Sequence, residues 1–177
     1  IASAPTIDDI VATPTGFLST VLDANGNQTA TLVASGSNRR AVTIDEIPKN
    51  LQHAFVAIED ERFYEHNGID VTGIIRAGVK GVASGFHFSE GASTITQQLL
   101  KNTVFTSWTS ESSMADKFER KFQEQYLALQ LEKVVDKDWI LENYLNAINL
   151  GQNTLGVGVA SERYFGKDVS RSQEHTS

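Results

Sequence analysis

The sequence predicts a mainly α-helical chain preceded by a short β-hairpin arm. Three observations carry that expectation. From Pro48 onward, apolar residues recur every three or four positions in successive segments. The first 45 residues are instead rich in Thr, Ala, Ser, Gly and Asn, with two short β-prone runs about an Asn-Gly pair. Hydrophobic residues make up 40% of the 177 positions and charged residues 21%, the balance of a folded globular chain, which excludes wholesale disorder. The length suits one domain with an arm, burying roughly 70% of its unfolded surface. The organisation expected is an arm over 1–45, a helical domain over 46–169 and a disordered tail over 170–177.

Taken in order, Leu18 to Leu22 and Thr29 to Val33 flank Asp23-Ala24-Asn25-Gly26-Asn27 and read as a hairpin. Pro48 suits a first helical turn, where its missing N–H costs nothing. Ile47, Leu51, Ala54, Phe55 and Ile58 then form an apolar face. A second helix is expected from near Asp70, with Ile74, Ile75, Val79 and Val82 on its apolar face. Gly81, Gly85 and Gly91 bracket a loop that holds Phe86, His87 and Phe88. A third helix starts at Ser93 or Thr94, and Thr94 with Gln97 has the form of a capping box.

Phe105 to Ser113 is polar and reads as a mobile loop. A long helix follows, from about Met114 to Val134, with Met114, Phe118, Phe122, Tyr126 and Leu129 on one stripe. Tyr126 to Leu131 is apolar nearly all round, so that end is expected to be buried on more than one side. The next helix runs from about Asp138 to Leu150, with Ile140, Leu141, Tyr144, Leu145 and Ile148 inward and Gly151 as its stop. A last one, Val157 to Phe165, ends at Gly166.

Composition narrows the function. There is no cysteine, which excludes a disulfide framework, a thiol nucleophile and Cys-ligated zinc. The longest aliphatic and aromatic stretch is Ala54 to Ile58, far short of the roughly 18 residues that a spanning helix needs. No signal peptide is visible in the chain, and an N-terminal anchor is expected to be missing from it. A net charge of −7 without any basic run argues against nucleic acid. A local basic patch still suits an anionic ligand.

Several residues are candidates for chemistry. Glu124 shares its helix face with Leu127, Ala128 and Leu131, so its carboxylate is either paired or lines a cleft. Arg120, one turn earlier, is placed to pair with it, and a purely structural ion pair is the stronger reading of the helix alone. Glu59, Asp60, Glu61 and Glu65 with His66 crowd the end of the first helix. Crowded carboxylates beside apolar walls suit a general base, while a solvated helix end is the commoner meaning of such a cluster. His53, His66, His87 and His175 show no metal-binding spacing, and His66 reads as a hydrogen-bonding core or turn residue. Gly91 to Gln98 places small and hydroxyl residues at a helix start, which suits an anion or an ordinary N-cap. Phe86, Phe88 and Trp108 sit in loops, as local core or as apolar contacts with a membrane interface.

Together and in this order, the segments resemble one family. They are Glu59-Asp60-x-x-Phe63-x-x-His66-x-Gly68, then Gly91-x-Ser93-Thr94-Ile95-Thr96-Gln97-Gln98 with Lys101-Asn102, then Arg120-Lys121-x-x-Glu124. Lys137-x-x-Ile140-Leu141-Glu142-x-Tyr144-Leu145-Asn146 and Arg163-Tyr164-Phe165-Gly166-Lys167 follow. The chain is similar, over about residues 15 to 169, to the peptidoglycan glycosyltransferase domains of bifunctional penicillin-binding proteins and monofunctional transglycosylases.

The resemblance implies a lysozyme-like glycosyltransferase fold with a head and a membrane-facing jaw. It implies polymerisation of lipid II on the outer face of the bacterial cytoplasmic membrane, with release of undecaprenyl pyrophosphate and inversion at C1. It implies Glu59 as the base for the acceptor hydroxyl, with Asp60 supporting it. Glu124 would lie near the donor pyrophosphate or its divalent metal, Mg or Mn. Lys101, Arg120 and Lys121 would neutralise the pyrophosphate, and Ser93, Thr94, Gln97 and Gln98 would shape the donor site. Phe63, His66, Glu142 and Asn146 join the substrate-binding set, and Phe86 with Phe88 would touch lipid. The growing glycan strand, the membrane surface and a downstream transpeptidase domain are the implied partners, and moenomycin the implied inhibitor. The chain departs from the family pattern in three places. The stretch between Lys101 and Arg120 is long, Asp116 with Lys117 stands where an Arg is common, and further helices normally follow Lys167 to Ser170. A C-terminally truncated domain is therefore expected. A lysozyme-like hydrolase and an inactive glycan- or lipid-binding module are the competing readings, and the Gln97-Gln98 and Arg120-Lys121-x-x-Glu124 motifs favour transfer.

Overall fold

The computed structural model describes residues 12–33, 38–83, 93–105 and 114–171, without the side chains of 80–83 and 114–117. Strands β1 (Ser19–Leu22) and β2 (Gln28–Leu32) precede helices α1 (Lys49–Glu59), α2 (Val71–Ala83), α3 (Ile95–Thr103), α4 (Met114–Leu131), α5 (Lys137–Ala147) and α6 (Val157–Phe165). A 3-10 turn follows at Val169–Arg171. The chain is mainly helical with a hairpin ahead of the helices, as its sequence predicts.

The hairpin closes through Asp23 rather than a two-residue turn. Its Oδ1 accepts from the backbone N–H of Asn25 at 2.8 Å and of Asn27 at 2.9 Å. Gly26 takes a φ of +84°, and the pairing slips at Val21/Leu22. Both strands are exposed along their whole length.

Three predicted faces turn out differently. On α1, Ile47 is buried and Leu51 and Phe55 are half-buried, but Ala54 is exposed and Ile58 is 81% exposed. The inward positions belong to Gln52 and Val56. The cause is the Gln52 amide, which donates to the carbonyls of Ile44 at 2.9 Å and Ile47 at 2.7 Å. Both carbonyls lie on the core side, so a polar residue that hydrogen-bonds them is buried there and Ile58 faces outward. On α2, Ile74, Ile75 and Val79 are exposed together with Val71, so the apolar face points outward. The side chain of Val82 lies outside the described residues. On α4, Phe118 and Phe122 are exposed and Tyr126 and Leu129 remain more than a third exposed. The buried face is Gln123, Glu124, Leu127, Ala128 and Leu131, because α3 packs on that side. Gly68 seals the same side, since a Cβ there would lie 2.6 Å from the Ala128 carbonyl.

The helix ends follow local chemistry. Asp70 accepts from the N–H of Gly73 and opens α2. Thr94 caps α3, its Oγ1 accepting from the Gln97 N–H at 3.2 Å and donating to the Gly68 carbonyl at 2.8 Å. The return half of the capping box does not form, since the buried Gln97 side chain makes no hydrogen bond among the described residues, and Asp60 takes the N–H of the next residue, Ile95. Helix α4 ends at Leu131 and not Val134, with a turn over 132–134. Asp136 caps α5 through the N–H of Trp139. That helix ends at Ala147, before the predicted stop, because Ile148 turns extended. Gly151 serves the following turn, at φ +89°. Gly166 ends α6 in the left-handed region, as predicted.

The core gathers Leu99 and Leu100 of α3, Leu127 of α4, and Ile140, Leu141, Tyr144 and Leu145 of α5. The stretch 38–44 is clasped to the far end of the chain. Asn146 accepts from the Val42 N–H at 3.0 Å and donates to its carbonyl at 2.7 Å. Glu142 accepts from the Ile44 N–H at 2.6 Å, and Arg39 donates to the Asn146 carbonyl and to Thr15. Arg39 also bridges Leu155. Ser170 and Arg171, predicted as tail, belong to the 3-10 turn, and 172–177 lie outside the described residues.

Candidate active site

Helix α1 stops at Glu59 because Asp60 leaves the helical region, at φ −158°. The Asp60 carboxylate is buried. Both of its oxygens lie 2.9 Å from His66 Nε2, and one also accepts from the Ile95 N–H at 2.9 Å. One carboxylate thus pins the turn after α1 and the start of α3 to the end of α1. The pinning sets Gln98, one turn into α3, against Glu59. Its Nε2 donates to Glu59 Oε2 at 3.0 Å.

The result is a cleft of about 390 Å³. Ile58 and Glu59 form one wall. Ser93, Gln97, Gln98, Lys101 and Asn102 of the α3 region form the floor, and Arg120, Lys121 and Glu124 of α4 the opposite wall. Glu124 is 2% exposed, yet it is not an uncompensated charge. Arg120 Nε lies 3.1 Å from one oxygen and Lys121 Nζ 3.0 Å from the other. Lys121 also donates to Ser93 Oγ at 2.8 Å, which ties the two sides of the cleft. Three cations against two carboxylates give the cleft a positive balance inside a chain of net charge −7.

Among the described residues, the predicted ones divide into three groups. Glu59, Ser93, Gln97, Gln98, Lys101, Arg120, Lys121 and Glu124 share the cleft. Asp60, Phe63, His66 and Thr94 lie beneath it. Phe63 is fully buried, with His66 edge-on to its ring and Lys137 Nζ 4.4 Å from its centroid. Glu142 and Asn146 lie apart, beside a second cavity of about 290 Å³ that also meets Thr13, Phe17 and Val42. Phe86 and Phe88 fall outside the described residues. Ile58, Asn102 and Tyr144 were not singled out as site residues. The first two join the cleft, and the Tyr144 hydroxyl reaches Gln98 Oε1 at 3.5 Å. Asn102 and Tyr144 stand in the quoted motifs without an assigned role, and Ile58 is signalled by its place beside Glu59.

The donors present do not by themselves make a site for Mg or Mn. Glu124 brings the one carboxylate on its wall, and both its oxygens already face cations. No group of three or more His, Asp or Glu that could hold a metal occurs among the described residues. A hard divalent cation takes about six oxygen ligands, of which Mg commonly draws one or two from carboxylates and the rest from water and phosphate.

A carboxylate and three cations lining one cleft suit an enzyme that moves a group off an anionic leaving group. Residues 25–175 match the transglycosylase family, and the chain belongs to that family. It is 46% identical over 173 residues to penicillin-binding protein 1A of Clostridium perfringens strain 13, covering 96% of this chain and 24% of that protein. Over 173 residues it is 40% identical to penicillin-binding protein 1A of Clostridium tetani, covering 96% and 21%. Over 137 residues it is 47% identical to penicillin-binding protein 1A of Escherichia coli K12, covering 77% and 15%. The chain therefore spans about a quarter of the length of these relatives, or less.

Proposed function

We propose that this transglycosylase domain polymerises lipid II into the glycan strands of peptidoglycan, releasing undecaprenyl pyrophosphate. The observation that carries the reading is that Glu59 and the Arg120–Lys121 pair line one cleft. Glu59 takes the proton of the acceptor's sugar hydroxyl. That oxygen bonds to C1 of the donor sugar as the C1–O bond to pyrophosphate breaks, and the electron pair leaves with the phosphate. Lys101, Arg120 and Lys121 meet the charge that develops there. One in-line displacement inverts C1 and needs no covalent nucleophile.

Glu124 favours transfer over hydrolysis. A lysozyme-like hydrolase needs a second carboxyl that donates a proton or attacks carbon. Glu124 is almost wholly buried and ion-paired on both oxygens, so it does neither. Its work is to hold Arg120 and Lys121 in place.

The substrate's lipid keeps the reaction at a membrane surface, and Val71, Ile75 and Val79, exposed at successive turns of α2, fit that setting. No described helix is long and apolar enough to cross a membrane. We place the domain on the outer face of the bacterial cytoplasmic membrane, within a parent protein that also carries a transpeptidase domain.

The test is incubation with labelled lipid II, with and without a divalent metal. Glycan polymer is expected, and Glu59→Gln should lower its rate by about 10²–10⁴-fold while leaving the fold intact. Unchanged polymerisation by that variant sinks the base assignment. Cleavage of preformed glycan by the parent chain points to hydrolysis instead.

A further inference from the structure

Behind the cleft wall, Glu59 rests on a chain of two contacts. Gln98 Nε2 donates to Glu59 Oε2 at 3.0 Å, and the Tyr144 hydroxyl donates to Gln98 Oε1 at 3.5 Å. An amide turned end for end would set its carbonyl oxygen against the carboxylate, so Glu59 dictates which end faces it. The hydroxyl then meets the carbonyl end and acts as donor. Tyr144 is suited to that fixed task. It is fully buried in α5, and its ring lies edge-on to Phe55 of α1, with centroids 6.3 Å apart. Burial, and then the charge of Glu59, push its phenol well above the usual tyrosine range, so the proton stays on the oxygen.

Gln98 is the mobile member of the three. It is only partly buried, and its side chain loses rotamer freedom whenever it is held in one pose. Among the described residues, Glu59 and Tyr144 are the side-chain partners of its amide. We infer that Tyr144 is a positioning residue, which acts through Gln98 to hold the Glu59 carboxylate where it receives the acceptor's proton. The inference rests on Glu59 being the base. At 3.5 Å the phenol contact is the looser of the two, so its removal shifts the amide without unfolding the domain.

Tyr144→Phe keeps the ring and removes only the hydroxyl. With lipid II as substrate, kcat is expected to fall about three- to tenfold at an unchanged KM, well short of the 10²–10⁴ that a general base supplies. In a Gln98→Leu background the same substitution should change kcat no further, because the path it acts through is gone. A Tyr144→Phe variant with full kcat, or losses that multiply in the double variant, overturns the inference. An NMR measurement that does not need turnover gives a second reading. The Gln98 side-chain NH₂ resonance should move in Tyr144→Phe and in Glu59→Gln, and indifference to Tyr144→Phe overturns the contact. A Glu59→Gln variant that polymerises at the parent rate removes the base itself, an outcome read separately from anything at Tyr144.

Discussion

Glu124 and Asp70 are two carboxylates with separate tasks, and each invites a test. Lys121 neutralises Glu124 from an exposed position, so Lys121→Met leaves a buried carboxylate with half of its compensation. A loss of about 1–3 kcal/mol in a urea titration is expected, below the cost of breaking a wholly buried pair. Asp70 is held below the ordinary carboxyl range, first by its hydrogen bond to Arg62, which lies 2.5 Å away. A carboxyl depressed in the folded state contributes stability that is complete above its unfolded pKa of about 3.9. The contribution vanishes as pH falls through the folded value. Asp70→Asn should therefore lower stability at neutral pH and narrow the gap to the parent in acid, which unfolding at stepped pH will show. Gly68 sits at φ +92° with the Ala128 carbonyl where a Cβ would go. Gly68→Ala should cost about 2 kcal/mol or more, measured in the same titration.

At the scale of elements, helix ends were more legible than helix faces. Thr94, Gly166 and the Asp23 loop are decided by residues within four positions of one another, and the chain announces them. Which side of a helix turns inward is decided by whatever packs there. Gln52 takes the core side in place of Ala54 and Ile58, with its amide bonded to the Ile44 and Ile47 carbonyls, and no periodicity reveals that pairing. The site divides the same way. The motif residues of α3 and α4 do share a cleft with Glu59, yet Phe63, His66 and Asn146, equally prominent in the motifs, pack and hydrogen-bond within the scaffold away from its lining. A motif reports that a position is constrained and leaves open whether substrate or scaffold constrains it. The outward face of α2 gives the element-level prediction. Ile75→Ser with Val79→Ser should leave the thermal midpoint within about 2 °C, since both side chains are already in water, and should weaken partition onto phospholipid vesicles.

For the molecule as a whole, the net charge and the cleft charge point in opposite directions. A chain at −7 is repelled by an anionic membrane while its cleft carries a positive balance. Adsorption to anionic vesicles should therefore hold or strengthen as salt shortens the Debye length from about 10 Å toward about 3 Å, the reverse of a basic peripheral protein. A marked loss of vesicle binding with salt would contradict an apolar mode of attachment.

The clasp between residues 38–44 and the α5–α6 region also sets a timetable. Val42, Ile44 and Arg39 also depend on partners at Glu142, Asn146 and Leu155, about a hundred residues later. A ribosome adds residues one at a time, so the early segment leaves the tunnel long before anything exists to cover it. The domain cannot close progressively from its N-terminus. It stays open until nearly the last helix has been made, and during that interval the newborn chain is most exposed to proteases and chaperones.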